Sequence, residues 1–260
     1  MADRSLPLII GHRGASWGAP ENTLAAFRLA WEEGADGIEA DFRLTRDGQV
    51  VCIHDPGTGR TAPAGLKVAG ATLEELRRLE FGGWKGDAWR GEMIPTLEDV
   101  IASLPTDKRL FIELKCGAEI IPHLERMLPI LPCGRLRILS FDAGLLALAA
   151  KRLPGIRSCL NMDLSRLKRS MGRQPLQASV MEILLECGAA GLSAGESPLL
   201  DRCLAERLGA AGMELHVWTV DSPAAAARYA AMGACSIMTN RPGWLRSMLA
   251  PEPRGEGWAQ

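Results

Sequence analysis

Acidic and histidine side chains stand at the ends of apolar, strand-like runs. The runs are Ile9-Ile10-Gly11-His12-Arg13-Gly14, Gly37-Ile38-Glu39-Ala40-Asp41, Val50-Val51-Cys52-Ile53-His54-Asp55 and Phe111-Ile112-Glu113-Leu114-Lys115. Successive side chains of a strand point to opposite faces, so Glu39 and Asp41 share one face, as do Glu113 and Lys115. Carboxylates gathered on one surface repel one another unless a cation sits among them. An all-oxygen donor set suits a hard divalent ion such as Mg2+ or Ca2+, and two nearby histidines can move protons. Such groups are equipment for hydrolysing a phosphate ester.

Strand signals alternate with helical ones along the chain. Strands are expected over Leu8–Gly11, Gly37–Phe42, Val50–His54, Leu110–Leu114, Arg137–Ser140, Ser158–Asn161, Ala190–Ser193, Glu214–Val220 and Ser236–Thr239. Helix starts are marked by Thr72 with Glu75 and Thr96 with Asp99, which resemble capping boxes. Ser197-Pro198 and Ser222-Pro223 each place a cap before a proline. Repeated βα units imply a parallel sheet, and about eight of them imply closure into a TIM barrel. That architecture gathers residues distant in sequence at the C-terminal ends of the strands.

One interval, residues 56–95, breaks the alternation. It is rich in glycine and aromatic residues, with a single short helical stretch from Thr72 to Leu79. It reads as a small insertion emerging beside His54, on the face that would carry the site. Residues 1–250 are expected to form one barrel domain, and 251–260 a disordered tail.

Composition narrows the function classes. Apolar residues make up 47% of the 260, and the formal charge is −1, so no global field would draw the chain to nucleic acid or an anionic membrane. The seven cysteines are scattered without a C-x-x-C pair, and Cys52, Cys159 and Cys235 lie in strand-like runs, as reduced, buried thiols would. The apolar run Leu6–Ile10 is too short for a secretory signal and no stretch is long enough to span a bilayer, which makes the cytoplasm the expected location. The oligomeric state, including a homo-oligomer, stays open.

The motifs together carry a resemblance. His12-Arg13-Gly14, Pro20-Glu21-Asn22-Thr23, Glu39-x-Asp41, Thr45-x-Asp47-Gly48, His54-Asp55, Pro95-Thr96-Leu97, Glu113-x-Lys115, Trp218-Thr219 and Thr239-Asn240-Arg241-Pro242 occur in one order over nearly the whole chain. This series resembles the glycerophosphodiester phosphodiesterase family. The resemblance implies a TIM barrel, one divalent cation, and hydrolysis of deacylated phospholipids such as glycerophosphocholine to glycerol 3-phosphate and an alcohol. It further implies Glu39, Asp41 and Glu113 as metal ligands and His12 and His54 as general acid and base, without saying which is which. Arg13 and Lys115 would contact phosphate oxygens, and Trp218 and Phe141 would wall the substrate.

Other readings compete. Glu39, Asp41 and Glu113 could form structural ion pairs with Arg13 and Lys115, although three acids against two bases fits that poorly. Glu21 could cap the following helix or touch the metal or substrate. If Trp218 faces the pocket, His216 two residues earlier points into the barrel below it. His123 reads as a surface or packing residue. The Phe81, Trp84 and Trp89 cluster could form an apolar wall for a lipid-tailed substrate, as in a lysophospholipase D. A catalytically silent phosphodiester-binding barrel is a further alternative. Three departures from the family pattern stand out: the shortened Pro56–Ala62 run, Ala234-Cys235-Ser236 where an Asp-Gly pair is frequent, and Asn240 where Asp is frequent.

Overall fold

The computed structural model describes residues 6–170 and 174–249, so the tail expected to be disordered lies outside the described residues. Among the described residues nine strands run in chain order: β1 (Leu8–His12), β2 (Gly37–Leu44), β3 (Val50–Cys52), β4 (Arg109–Leu114), β5 (Leu136–Ser140), β6 (Arg157–Met162), β7 (Gly191–Gly195), β8 (Glu214–Trp218) and β9 (Ser236–Thr239). The helices are α1 (Leu24–Glu32), α2 (Leu73–Arg77), α3 (Leu97–Ser103), α4 (Ile121–Met127), α5 (Ala143–Arg152), α6 (Leu164–Ser170), α7 (Leu176–Glu186), α8 (Arg202–Ala210), α9 (Pro223–Ala231) and α10 (Pro242–Leu249). None of them is long and apolar enough to cross a membrane.

All strands but β3 pair in parallel, and β1 pairs with both β2 and β9, so the sheet closes into an eight-stranded TIM barrel. The strand run containing His54 departs from expectation. It is a short antiparallel strand on the outer part of β2, pairing Phe42 with Cys52, and it ends before His54, which sits in the following bend. Its antiparallel return lets the chain double back over the rim where a ninth barrel strand would not fit.

Residues after β3 wrap around a small core of their own. Val51, Ile53, Val68, Ala71, Leu76, Phe81 and Ile94 are buried together. Phe81 is thereby used for packing, and Trp84 is exposed, so the Phe81, Trp84 and Trp89 cluster does not wall the central cleft. The main core lies between the barrel and its helices. Inside the barrel, Ile10, Phe111, Leu139, Cys159 and Met238 form a separate apolar plug.

Local signals explain most helix starts. Thr72 and Thr96 make reciprocal capping boxes with Glu75 and Asp99, and Ser222 caps α9 ahead of Pro223. Ser197-Pro198 does not start a helix: Ser197 instead accepts a hydrogen bond from Leu199 N, and α8 begins after Asp201, whose carboxylate accepts from Leu204 N. An aspartate N-cap was available one turn later, and it won. Cys235 is exposed, whereas Cys52 and Cys159 are buried as expected.

The β1–α1 turn is a tight joint beside the rim. Gly14 has φ +83°, and a Cβ there would lie 2.6 Å from the backbone carbon of Ala26, whose oxygen already accepts from Ala15 N. Replacing Gly14 with Ala should therefore destabilise the fold by about 1–3 kcal/mol through strain and overlap. The urea midpoint checks this, and an unchanged midpoint would mean that the turn relaxes freely.

Candidate active site

Strand register assembles the acids. His12 lies opposite Glu39 on neighbouring strands, and Asp41 lies opposite Glu113. The carboxylates of Glu39, Asp41 and Glu113 come within 4.8 Å of one another, and all three residues are buried, at 1%, 0% and 7% exposure. Glu39 and Glu113 open on a small cleft at the C-terminal end of the barrel, with Asp41 buried behind them, and the cleft is lined also by His12, Arg13, His54, Lys115, Phe141 and Trp218. The residues singled out from the sequence thus converge on one place.

The surroundings of the acids are cationic and incomplete. Arg13 meets Glu21 through Nη1 at 2.8 Å and Asp41 through Nε at 3.1 Å. Its backbone N–H donates to Glu39 Oε2 at 3.0 Å. Lys115 Nζ lies 3.3 Å from Asp41 and 2.6 Å from Glu113, off the line of a regular hydrogen bond. Among the described residues, Glu39 Oε1 has neither a hydrogen-bond donor nor a cation in reach. A buried carboxylate oxygen left bare is costly, and three such groups share one cavity. The donor set is all oxygen and open toward the cleft, so these residues fit a hard divalent ion.

Titration follows from the same geometry. Burial, reinforced by Asp41 and Glu113, pushes Glu39 well above the usual carboxylate range, and burial with Asp41 raises Glu113. At Asp41 burial is outweighed by Arg13 and Lys115, which hold it low.

The two histidines have different partners. Asn240 Nδ2 donates to Asp221 at 2.6 Å, so its Oδ1 accepts from His12 Nδ1 at 2.9 Å and Nε2 of His12 carries the lone pair. Burial and Arg13 lower His12 to about 4. His54 Nδ1 instead faces the Asp55 carboxylate at 2.7 Å. Burial lowers His54 too, opposed by Asp41 and by this hydrogen bond. Burial disfavours the charge on Asp55, yet hydrogen bonds from Arg60 and His54 hold it at about 2.

Several positioning residues were not legible as such. Asn22, with φ +57°, donates to Asp41 Oδ2 at 2.8 Å and accepts from Asp41 N. Arg43 donates to the backbone oxygens of His54 and Lys115, tying two site loops together. Arg60 binds both Asp55 and Glu21. Glu21 is therefore a bridge between Arg13 and Arg60, and α1 is capped by Thr23. Asn240 stood out in the sequence as part of a closing motif and as a departure from its usual Asp, not as a partner of His12. Its role needed the three-dimensional path to His12.

Phe141 and Trp218 both line the cleft. Phe141 and Trp218 meet edge to face at 5.7 Å, with Lys115 Nζ 5.6 Å from the Phe141 ring centre. His216 lies below Trp218, bound to Ser236 and Glu214. His123 is on α4, hydrogen-bonded to Arg126 away from the cleft. Cys159, Glu214 and His216 form a second cluster of ligand-type residues at the barrel floor, but Glu214 is already satisfied by Arg137 and Arg157 at 2.7 and 3.0 Å.

Comparison with known proteins agrees with this geometry. Residues 12–244 match the model of the glycerophosphoryl diester phosphodiesterase family. A glycerophosphodiester phosphodiesterase of Caldanaerobacter subterraneus is 45% identical over 122 residues, covering 46% of this chain and 50% of the relative. The chain spans 43 to 50% of the length of four curated relatives it matches. An Oleispira antarctica phosphodiesterase solved with the product sn-glycerol-3-phosphate is 29% identical with a TM-score of 0.82, covering 94% of this chain and 96% of that one. A glycerophosphodiester phosphodiesterase structure from Agrobacterium tumefaciens is 27% identical with a TM-score of 0.77, over 93% of this chain and all of the other.

Filling the acidic cavity should stabilise the fold. Mg2+ or Ca2+ at about 100 times its dissociation constant is expected to add about 2.7 kcal/mol, and Glu39→Gln to remove most of that gain. Thermal melts with and without each ion test this. Identical melting in every case would make the three acids a structural cluster.

Proposed function

The chain belongs to the glycerophosphoryl diester phosphodiesterase family, and from that premise we propose that its barrel hydrolyses glycerophosphodiesters to sn-glycerol 3-phosphate and an alcohol. The observation that carries this reading is the trio of buried, mutually repelling carboxylates flanked by two histidines with different partners. A silent binding barrel has no need of a proton acceptor and donor on one cleft.

Glu39, Asp41 and Glu113 would hold one divalent ion, Mg2+ or Ca2+, which when bound offsets charge on a non-bridging phosphate oxygen. Arg13 and Lys115 bring further positive charge to the phosphate oxygens. His12 has a neutral hydrogen-bond partner in Asn240 and a cation beside it, a setting that keeps Nε2 unprotonated for general-base work. It takes the proton of the attacking oxygen. His54 has a carboxylate behind Nδ1, which favours the imidazolium and suits a general acid. It returns a proton to the leaving alkoxide as the P–O bond breaks. Phe141 and Trp218 flank the organic part of the ester.

Release of glycerol 3-phosphate from glycerophosphocholine and glycerophosphoethanolamine, after chelation and then after adding back Mg2+ or Ca2+, tests the reading. Activity should vanish on chelation and return with an ion, and no release under any condition would refute it. His12→Ala and His54→Ala should each lose at least about a hundredfold in turnover with the fold intact.

The acid and base assignment has its own signature. A profile of log kcat/KM against pH should be bell-shaped, rising as His12 loses its proton and falling as His54 does. The Asp55 hydrogen bond raises His54, so Asp55→Asn should move the falling limb to lower pH. A falling limb that stays in place, or moves up, would remove His54 as the acid.

A further inference from the structure

Two polar atoms on the wall of the cleft have no hydrogen-bond partner among the described residues and no part in proton transfer. Asn161, at the C-terminal end of β6, is 3% exposed, and its Oδ1 accepts no hydrogen bond among the described residues. The indole Nε1 of Trp218, on β8, is buried and donates to no acceptor among the described residues. Between these strands, Ser193 stands in register with Asn161 on β7, and its buried Oγ is likewise unpartnered. Buried amides and indole N–H groups nearly always find partners, so a group of bare ones on a cleft wall marks a place where a ligand supplies the missing half.

Their position says which part of the ligand. Asn161 and Trp218 line the catalytic cleft beside the acids, and with Phe141 they also line an adjoining groove of about 660 Å3. They therefore stand beside the place where Arg13 and Lys115 would hold a phosphate, on the side left for its organic substituents. A Cβ at Gly195 would sit 3.4 Å from the benzo edge of Trp218, so that position leaves the ring room to lie against β7.

Their chemistry says which group. One bare acceptor and one bare donor complement an aliphatic hydroxyl, which offers both a hydrogen and a lone pair. A quaternary ammonium offers neither. We propose that Asn161 is a specificity-determining residue that reads a hydroxyl of the substrate, Oδ1 accepting the hydroxyl hydrogen while Trp218 Nε1 donates to a hydroxyl oxygen. This rests on the glycerophosphodiesterase reading and sharpens it. A site built around such a contact rejects an analogue lacking the hydroxyl, because its own polar groups are then stranded.

Calorimetry with sn-glycerol 3-phosphate and n-propyl phosphate separates the hydroxyl from the phosphate. The wild-type protein should prefer the glycerol compound by about 10- to 100-fold, and Asn161→Ala and Asn161→Leu should abolish that preference. In kinetics, both variants should lose a similar factor on glycerophosphocholine, and far less on bis(p-nitrophenyl) phosphate, which has no aliphatic hydroxyl. A loss confined to glycerophosphoglycerol, with glycerophosphocholine unaffected, would assign the contact to the leaving alcohol. Equal losses on every ester, or none on any, would overturn the role of Asn161 while leaving the activity itself standing. If the wild-type protein turned over no glycerophosphodiester, the activity would fall, and the calorimetric preference alone would decide the hydroxyl contact.

Discussion

The structure of the rim depends on keeping three carboxylates together in a buried cavity. Two unit charges 4 Å apart repel by about 4 kcal/mol at an effective dielectric constant of 20, and Glu39, Asp41 and Glu113 make three such pairs at comparable range. Arg13, Lys115 and Asn22 relieve Asp41, and backbone N–H of Arg13 relieves one oxygen of Glu39. The relief is partial. That incompleteness draws a cation, and the left-handed backbone at Arg13 and Asn22 is part of the cost of the arrangement.

The floor of the barrel makes an instructive contrast. Glu214 is also a carboxylate turned inward, and burial disfavours its charge, yet it is held at about 2 by His216 and Arg137. Both its oxygens are engaged by guanidinium groups from β5 and β6. An apolar plug of Ile10, Phe111, Leu139, Cys159 and Met238 separates this satisfied layer from the unsatisfied one above. Stability and chemistry are thereby assigned to opposite ends of the same strands, as a barrel of this kind allows.

The segment after β3 reaches the rim through one side chain. Arg60 ties Asp55 to Glu21, and Glu21 ties onward to Arg13, so the carboxylate behind His54 and the cation beside Asp41 belong to one chain of ion pairs. His12 is oriented separately, through Asn240 and Asp221 beyond β9. Two separate supports hold the two histidines, one through a carboxylate and one through a neutral amide.

The sequence by itself determined the strand runs, the closure of the barrel and the acids that share a face, because strand periodicity and cap chemistry are local. The sharing of one face by Glu39 and Asp41 was legible from their spacing, as was the burial of His216 beneath Trp218. The tertiary structure alone decided that the His54 run is antiparallel and outside the barrel, that Glu21 bridges two arginines, and that Asn240 sets the tautomer of His12. Each of those depends on a partner far away in the chain: 39 residues separate Glu21 from Arg60, and 228 separate His12 from Asn240. Periodicity says which way a side chain points, and only the closed barrel says what it meets there.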